Sequence, residues 1–334
     1  MKKINSAVIG LGVGLHHSLT YIKNKNTVLK YVCDFNQEKL NLFNKHIKIV
    51  KLKNDKKIIN DNQVSLVSIA SYDNYHFNQI KRCLKNNKNI FVEKPLCLSI
   101  KELKEIKKLK KKKPFLKISS NLVLRTCGLF KQIKKEVKKE MFGNIYYIEA
   151  NYLWGRPDKF KGWRSKIPYY SKIFGAAIHM IDLIVWILNE KPIEVFSVGN
   201  KLGLNNKTLR FNSFVAMFLK FKNGLIVKIT GNGPSVSDHF HELKIYGTTK
   251  SFHHTSEETF YQNKNLNIQK IKKIKKLYPD KEKRSDVLNS FIRHLSNNKS
   301  KPIVKEKDVY DIMSICLAAE KSMNLEKKII IKYF

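Results

Sequence analysis

The first apolar run of the chain, Ile4–Ile9, breaks into three glycines within five residues, Gly10, Gly12 and Gly14, before an amphipathic segment begins. Only 14 of the 334 residues are glycine, so three this close mark a place where the backbone does what a side chain would prevent. A strand that passes through such a turn into a helix lets the backbone approach a phosphate, whose charge the first amides of the helix then hold. The same turn can serve as a plain structural loop. In the G-x-G-x-x-G pattern of dinucleotide-binding turns the third glycine is due at 15, where Leu15 stands, and Gly14 comes one residue early.

Short apolar runs and amphipathic segments go on alternating to about residue 119. Strands are predicted at 28–33, 64–70, 89–92 and 115–118, and helices from the turn to about 25 and over 36–45, 74–85 and 99–112. Ser99, with Glu102 three residues on, forms a capping box. The lysines at 110–113 end the same helix, where cations suit its dipole. The alternation predicts an α/β fold, a Rossmann-type doubly wound parallel sheet over 1–120. The pattern then changes: a helix over 129–139, an alternating strand in "GNIYYIEANYLWG", a helix over 176–188, and strands at 193–200, 211–221, 225–230 and 242–246. Late helices over 283–295 and 306–323 precede a last strand at 328–331. Residues 121–334 are therefore read as an α+β domain with a large, mostly antiparallel open sheet, its late helix at about 306–323 packing back on the first domain. The lysine- and asparagine-rich stretch 263–276 receives no assignment.

Composition narrows the class. Hydrophobic residues make up 43% and charged ones 28%, as in ordinary soluble domains. No stretch reaches the ~18 uninterrupted apolar residues of a membrane span, and "MKKINSAVIG" fits no signal peptide. Five scattered cysteines without a C-x-x-C pair argue against a disulfide framework or a zinc site and for a reducing cytoplasm. The net charge of +38 is nearly all lysine and is spread along the chain. Without a recognition motif it reads as solvated faces rather than a specific nucleic-acid surface.

Asp34 ends the second strand, 24 residues after Gly10, close to where an acidic group receives ribose hydroxyls; it can equally cap the following helix. No arginine follows to meet a 2′-phosphate, which favours NAD over NADP. Glu93 and Lys94, in "NIFVEKPLCLS", lie just past the carboxyl end of a parallel strand, where ligands sit in such sheets, or form a plain polar strand exit. His239 and His241 share one strand face but lack a further ligand, so no metal is expected. His253 and His254 read as loop residues.

Together, the glycine turn, "VCD", "VSIASYDNYH", "VEKP", "GWRS", "GAAIHMIDLIVWILNEKPIEV" and "VYDIMSICLAAEKS" resemble, in order and over nearly the whole chain, the Gfo/Idh/MocA family of glucose–fructose oxidoreductase, inositol dehydrogenase and relatives. The resemblance implies that Gly10, Leu11, Gly12, Val13, Gly14, Asp34, Ser71, Asn74, His76, Glu93 and Lys94 border a bound NAD, with Tyr72 where a proline is usual. It implies that Lys94 lies beside the nicotinamide and the reacting hydroxyl, where an ammonium stabilises a growing alkoxide. His179 maps to the proton-handling histidine, against the alternative of a core histidine. Asp182, at i+3, would orient its ring or touch substrate. Many relatives carry an aspartate four residues before that histidine, where this chain has Gly175. Asn121, Arg125, Trp154, Arg156, Trp163 and Arg164 would meet substrate; the tryptophans and the last two arginines also fit an ordinary sheet edge and turn. The implied activity is hydride transfer between NAD(P) and a sugar, polyol or nucleotide-linked sugar by a homodimer or homotetramer. Two alternatives stay open: redox-assisted elimination or hydrolysis of a sugar derivative on a transiently used NAD, and a non-catalytic NAD-binding sensor or scaffold.

Overall fold

The computed structural model of the protein describes residues 3–43, 49–167, 169–203, 211–263, 278–297 and 299–334. The strand–helix alternation is realised as β1 (Ile4–Ile9), α1 (Gly14–Lys23), β2 (Thr27–Cys33), α2 (Gln37–Asn41), β3 (Val50–Leu52), α3 (Lys56–Asn60), β4 (Leu66–Ile69), α4 (His76–Lys85), β5 (Asn89–Val92), α5 (Ile100–Lys111) and β6 (Ile118–Ser120). All neighbours pair in parallel in the order β3-β2-β1-β4-β5-β6. The order reverses between β1 and β4, which opens a crevice at the strands' carboxyl ends. Every residue of β4 is buried, as a strand covered on both faces requires. The strand expected at 115–118 starts later because Phe115 stays in the turn after Pro114, exposed to solvent. β3 and α3 were not anticipated; β3 is an edge strand with Val50 and Lys51 turned outward, so it carries no buried run.

The chain continues through α6 (Gly128–Lys138), β7 (Ile145–Leu153), α7 (Trp163–Lys166), a π-type turn (Ile173–Ala177), α8 (Ile178–Leu188), β8 (Glu194–Asn200), β9 (Phe214–Lys220), β10 (Ile226–Asn232), β11 (Phe240–Gly247), β12 (Lys250–His254), β13 (Thr259–Asn263), α9 (Ser285–Ser296), α10 (Glu306–Leu325) and β14 (Ile329–Ile330). The second sheet runs β13-β12-β11-β7-β10-β9-β8-β14. It is antiparallel except for the parallel pair β7–β10 at its centre. One face buries Ile148, Met217, Val227, Ile229 and Ile245, and α8 packs on β7. The other face leaves Phe196, Val198 and Phe218 exposed.

His253 and His254 are strand residues of β12, not loop residues, and burial drives the His254 imidazole down to about 4. Residues 264–276 of the unassigned stretch lie outside the described residues. Two compact units result: Met1–Leu122 with Glu282–Met313, and Val123–Lys281 with Ser314–Phe334. A single cut after 120 does not describe this division, because α9 belongs to the first unit, where Asn289 accepts a 2.8 Å hydrogen bond from Asn24.

Candidate functional site

Each glycine of the first turn has a separate duty. Gly10 adopts φ +88°, and a Cβ there would lie 2.5 Å from the Ala70 carbonyl carbon at the exit of β4. A Cβ on Gly14 would lie 2.9 Å from Val8 Cγ1 and 3.1 Å from Ala70 Cβ, so its absence lets α1 settle on β1 and β4. That is the packing role of the third glycine, carried out one position early. Gly12 faces open space, with nothing among the described residues within 4 Å of where its Cβ would stand. The N-cap of α1, Val13, makes no side-chain cap, so the first amides of the helix are what an anion at Gly12 would meet.

Asp34, buried at the exit of β2, braces this turn. Its Oδ2 accepts the Leu11 N–H at 2.7 Å and its Oδ1 the Asn36 N–H at 2.9 Å, with Lys39 Nζ 3.5 Å from Oδ2. The alternative reading of Asp34 as a helix cap is corrected: the N-cap of α2 is Asn36, which accepts from Glu38 and Lys39. Val13 and Phe35 are exposed at this edge, and Tyr72 meets Phe35 edge-on at 5.7 Å and stacks on Tyr75 at 6.3 Å, an aromatic row that sequence reasoning missed. His76 is buried, with Nδ1 2.6 Å from the Pro95 carbonyl and Nε2 3.2 Å from that of Ser71, so it ties the β4 exit to the loop after Lys94. The Asn74 Oδ1 is buried without a hydrogen-bond partner among the described residues.

At the exits of β5 and β6, Glu93 receives two donors on one oxygen. Asn121 Nδ2 donates to Oε1 at 2.6 Å, and His17 Nε2 from α1 lies 3.2 Å from the same atom. Oε2 has no hydrogen bond among the described residues. Burial alone would raise this carboxyl, yet the His17 hydrogen bond and charge, Lys94 and Asn121 hold it at about 2. Lys94 is half-buried beside it. Sequence reasoning gave His17 no role, although its place with Gly14, Ser18 and Tyr21 on the buried face of α1 was a readable signal. Asn121, expected to meet substrate at the start of the second domain, belongs to the first unit and is bound to Glu93.

In the second unit, His179 is the second residue of α8. Tyr152 of β7 stacks on it at 5.8 Å, and His241 of β11 stands 6.3 Å away. His239 lies 3.0 Å from the Tyr152 hydroxyl, and His241 Nδ1 lies 2.7 Å from that of Tyr278. Among the described residues no group of three or more histidine, cysteine or acidic side chains is arranged to hold a metal. Arg125, expected to meet substrate, and Asp182, expected to orient the His179 ring or touch substrate, are brought onto each other. Arg125 Nε donates to both carboxylate oxygens at 3.1 Å and Nη2 to Oδ1 at 2.6 Å, in a pair 4% and 1% exposed. Trp154 is buried with Lys172 Nζ 3.1 Å from its ring centre, while half-buried Trp163 lies under the Arg164 guanidinium at 4.4 Å. Arg156 is half-buried at the start of the same segment. Gly175 is filled from outside: a Cβ there would fall on the Tyr170 hydroxyl.

Two family models match the chain: the Gfo/Idh/MocA oxidoreductase family's NAD-binding Rossmann fold over residues 4–118 and its C-terminal alpha/beta domain over 134–331. The chain is 23% identical over 250 residues to myo-inositol 2-dehydrogenase of Thermotoga maritima, covering 72% of each. It is 22% identical over 282 residues to 2,7-anhydro-N-acetylneuraminate hydratase of Escherichia coli, covering 76% of this chain and 74% of that one. The match to the uncharacterized oxidoreductase YhhX of Escherichia coli, 25% over 171 residues, spans 51% of this chain and 48% of that protein, about half its length. The fold superposes on myo-inositol 2-dehydrogenase from Lactobacillus plantarum with a TM-score of 0.85, at 20% identity over 99% and 100% of the two chains. Scyllo-inositol dehydrogenase from Lactobacillus casei, with NAD(H) and scyllo-inositol bound, gives 0.79 at 18% identity over 98% and 99%. At these identities the structural likeness is one of fold.

Proposed function

The chain belongs to the Gfo/Idh/MocA oxidoreductase family, and on that premise we propose that it transfers hydride between NAD and a hydroxyl of a sugar, polyol or nucleotide-linked sugar. The observation that carries this reading is the carboxyl edge of the first sheet. There the open Gly12 turn lies between two buried carboxylates, each anchored by neighbours. These residues fit a dinucleotide. The amides from Gly12 to Gly14 hold the pyrophosphate, Asp34 the adenosine ribose, and the unoccupied Oε2 of Glu93 the nicotinamide ribose. Ser71, Asn74 and His76 border the same edge.

When bound, the nicotinamide supplies the hydride acceptor or donor. Lys94 stabilises the negative charge that grows on the substrate oxygen. His179 takes or returns the hydroxyl proton. Arg156, Trp163 and Arg164 offer planes and guanidinium forks suited to a sugar carrying a carboxylate or phosphate. The anionic Asp34 would repel a 2′-phosphate, which favours NAD over NADP. Titration of NADH and NADPH by nicotinamide fluorescence tests the reading. The wild type should prefer NADH, and Asp34→Ala should weaken NADH and narrow the preference; an unchanged NADH affinity overturns the assignment.

The match to a hydratase supports a second reading, in which NAD is reduced and restored within one turnover while a sugar derivative undergoes elimination or hydrolysis. Only the dehydrogenase consumes free NAD in step with product. The same proposal takes the chain to be cytoplasmic, supported by five buried cysteines outside any disulfide, and a homodimer or homotetramer, supported by the apolar residues on the open sheet face.

A further inference from the structure

We propose that the phenol of Tyr170 is a positioning group for His179, standing where a side chain at residue 175 would begin. The inference rests on the reading of His179 as the proton-handling residue. Gly175 lies in the π-type turn that leads into α8, four residues before His179 and so on the same helical face. Side chains on a helix lean toward its N-terminus, so the His179 imidazole leans over the turn that contains Gly175. That turn contributes no side chain there, and Tyr170 takes the space: a Cβ on Gly175 would fall on its hydroxyl and lie 2.7 Å from its Cζ.

The phenol is held from several sides. The ring is 3% exposed, with Phe211 edge-on at 5.0 Å and Trp163 at 6.0 Å. Its neighbours in sequence, Tyr169 and Ser171, both donate hydrogen bonds to Glu320 of α10, and the Gly175 N–H donates to the Ser171 carbonyl at 2.8 Å. Two cations flank the ring, the Arg164 guanidinium at 5.6 Å and Lys172 Nζ at 5.7 Å. Arg164 Nε–H donates to the phenol oxygen at 3.2 Å. An oxygen that accepts from a guanidinium acts toward its other neighbours as a donor, and a stronger one for being polarised. Packing alone does not call for this oxygen, since a phenylalanine would fill the same volume. Among the described residues, Tyr152 of β7 stacks on His179 and His241 of β11 stands 6.3 Å from it; Tyr152 in turn meets His239, and Asp182, paired with Arg125, is on the same helix.

A histidine Cε1–Hε1 NMR titration of the full chain, without cofactor or substrate, tests this. The His179 signal is identified by its loss in His179→Asn. Tyr170→Phe removes a donor to the neutral imidazole, so the His179 midpoint should rise by about 0.5 unit. Incorporation of 3-fluorotyrosine at 170, a near-isosteric and stronger donor, should move it down, and it covers the case in which Tyr170→Phe does not fold. A rise of about 0.3 unit or more with Tyr170→Phe, or a fall with fluorotyrosine, supports the coupling. A smaller change or the opposite sign overturns it. Because nothing is bound in this experiment, its failure is separate from a failure of the hydride-transfer reading.

Discussion

Replacing Asp182 by asparagine separates a structural ion pair from a catalytic carboxylate. The carboxylate is 1% exposed and takes three hydrogen bonds from the Arg125 guanidinium, itself 4% exposed. Asparagine keeps the volume and one acceptor, so no cavity opens; the loss is the charge opposite a buried cation. Breaking a buried pair from one side costs about 3–5 kcal/mol. At about 2–4 °C per kcal/mol for a unit of this size, the unfolding midpoint should fall by roughly 6–20 °C. Removing both charges together, with Arg125→Met and Asp182→Leu, leaves no unpaired ion and should cost far less than the single change.

All three tryptophans, Trp154, Trp163 and Trp186, belong to the second unit, so urea unfolding followed by tryptophan fluorescence reads the unit that holds the pair. If Asp182→Asn stays within about 1 kcal/mol of wild type, or the double variant is as damaged as the single one, the structural account fails. Asp182 then returns as a candidate partner of His179.

Four further outcomes are expected. Glu93, held at about 2 against an ordinary 4.5, stabilises the fold above its ordinary value and loses that contribution as pH falls toward 2. The stability advantage of wild type over Glu93→Gln, on the order of 3 kcal/mol, should therefore shrink between about pH 5 and pH 3, and a flat difference refutes it. Glu320 is pushed by burial up to about 7, so the folded chain keeps a proton that the unfolded one releases, and stability should fall as pH climbs from 4.5 to 7. Glu320→Gln should remove that decline in urea titrations; an unaltered pH slope refutes the account. Gly12→Val should leave the unfolding midpoint unchanged while weakening NADH roughly tenfold or more, because its Cβ meets only open space; a loss of stability would contradict this. Light scattering should find a dimer or tetramer at micromolar concentration, and Phe218→Lys on the exposed sheet face should shift it toward monomer; a wild-type monomer removes the proposal.

What the sequence disclosed follows how far each feature depends on distant residues. The first sheet was legible because strands covered on both faces are unbroken apolar runs, as in β4; the edge strand β3, with Lys51 turned outward, gave no such run. The glycine turn could be recognised from its neighbours, but the duty of Gly14 is set by Val8 and Ala70, the latter 56 residues away. His179 and Asp182 were correctly put near one face of one helix. The partner that claims Asp182, Arg125, arrives from a 3₁₀ turn 57 residues earlier and carries no periodicity that points to it. Gly175 shows the limit most sharply. The missing side chain was visible at once, while its replacement was not. In a regular helix, residues five apart stand about 140° from one another. Tyr170 reaches Gly175 only because it precedes the helix, where the chain entering the π-type turn brings its ring back across the first helical residues.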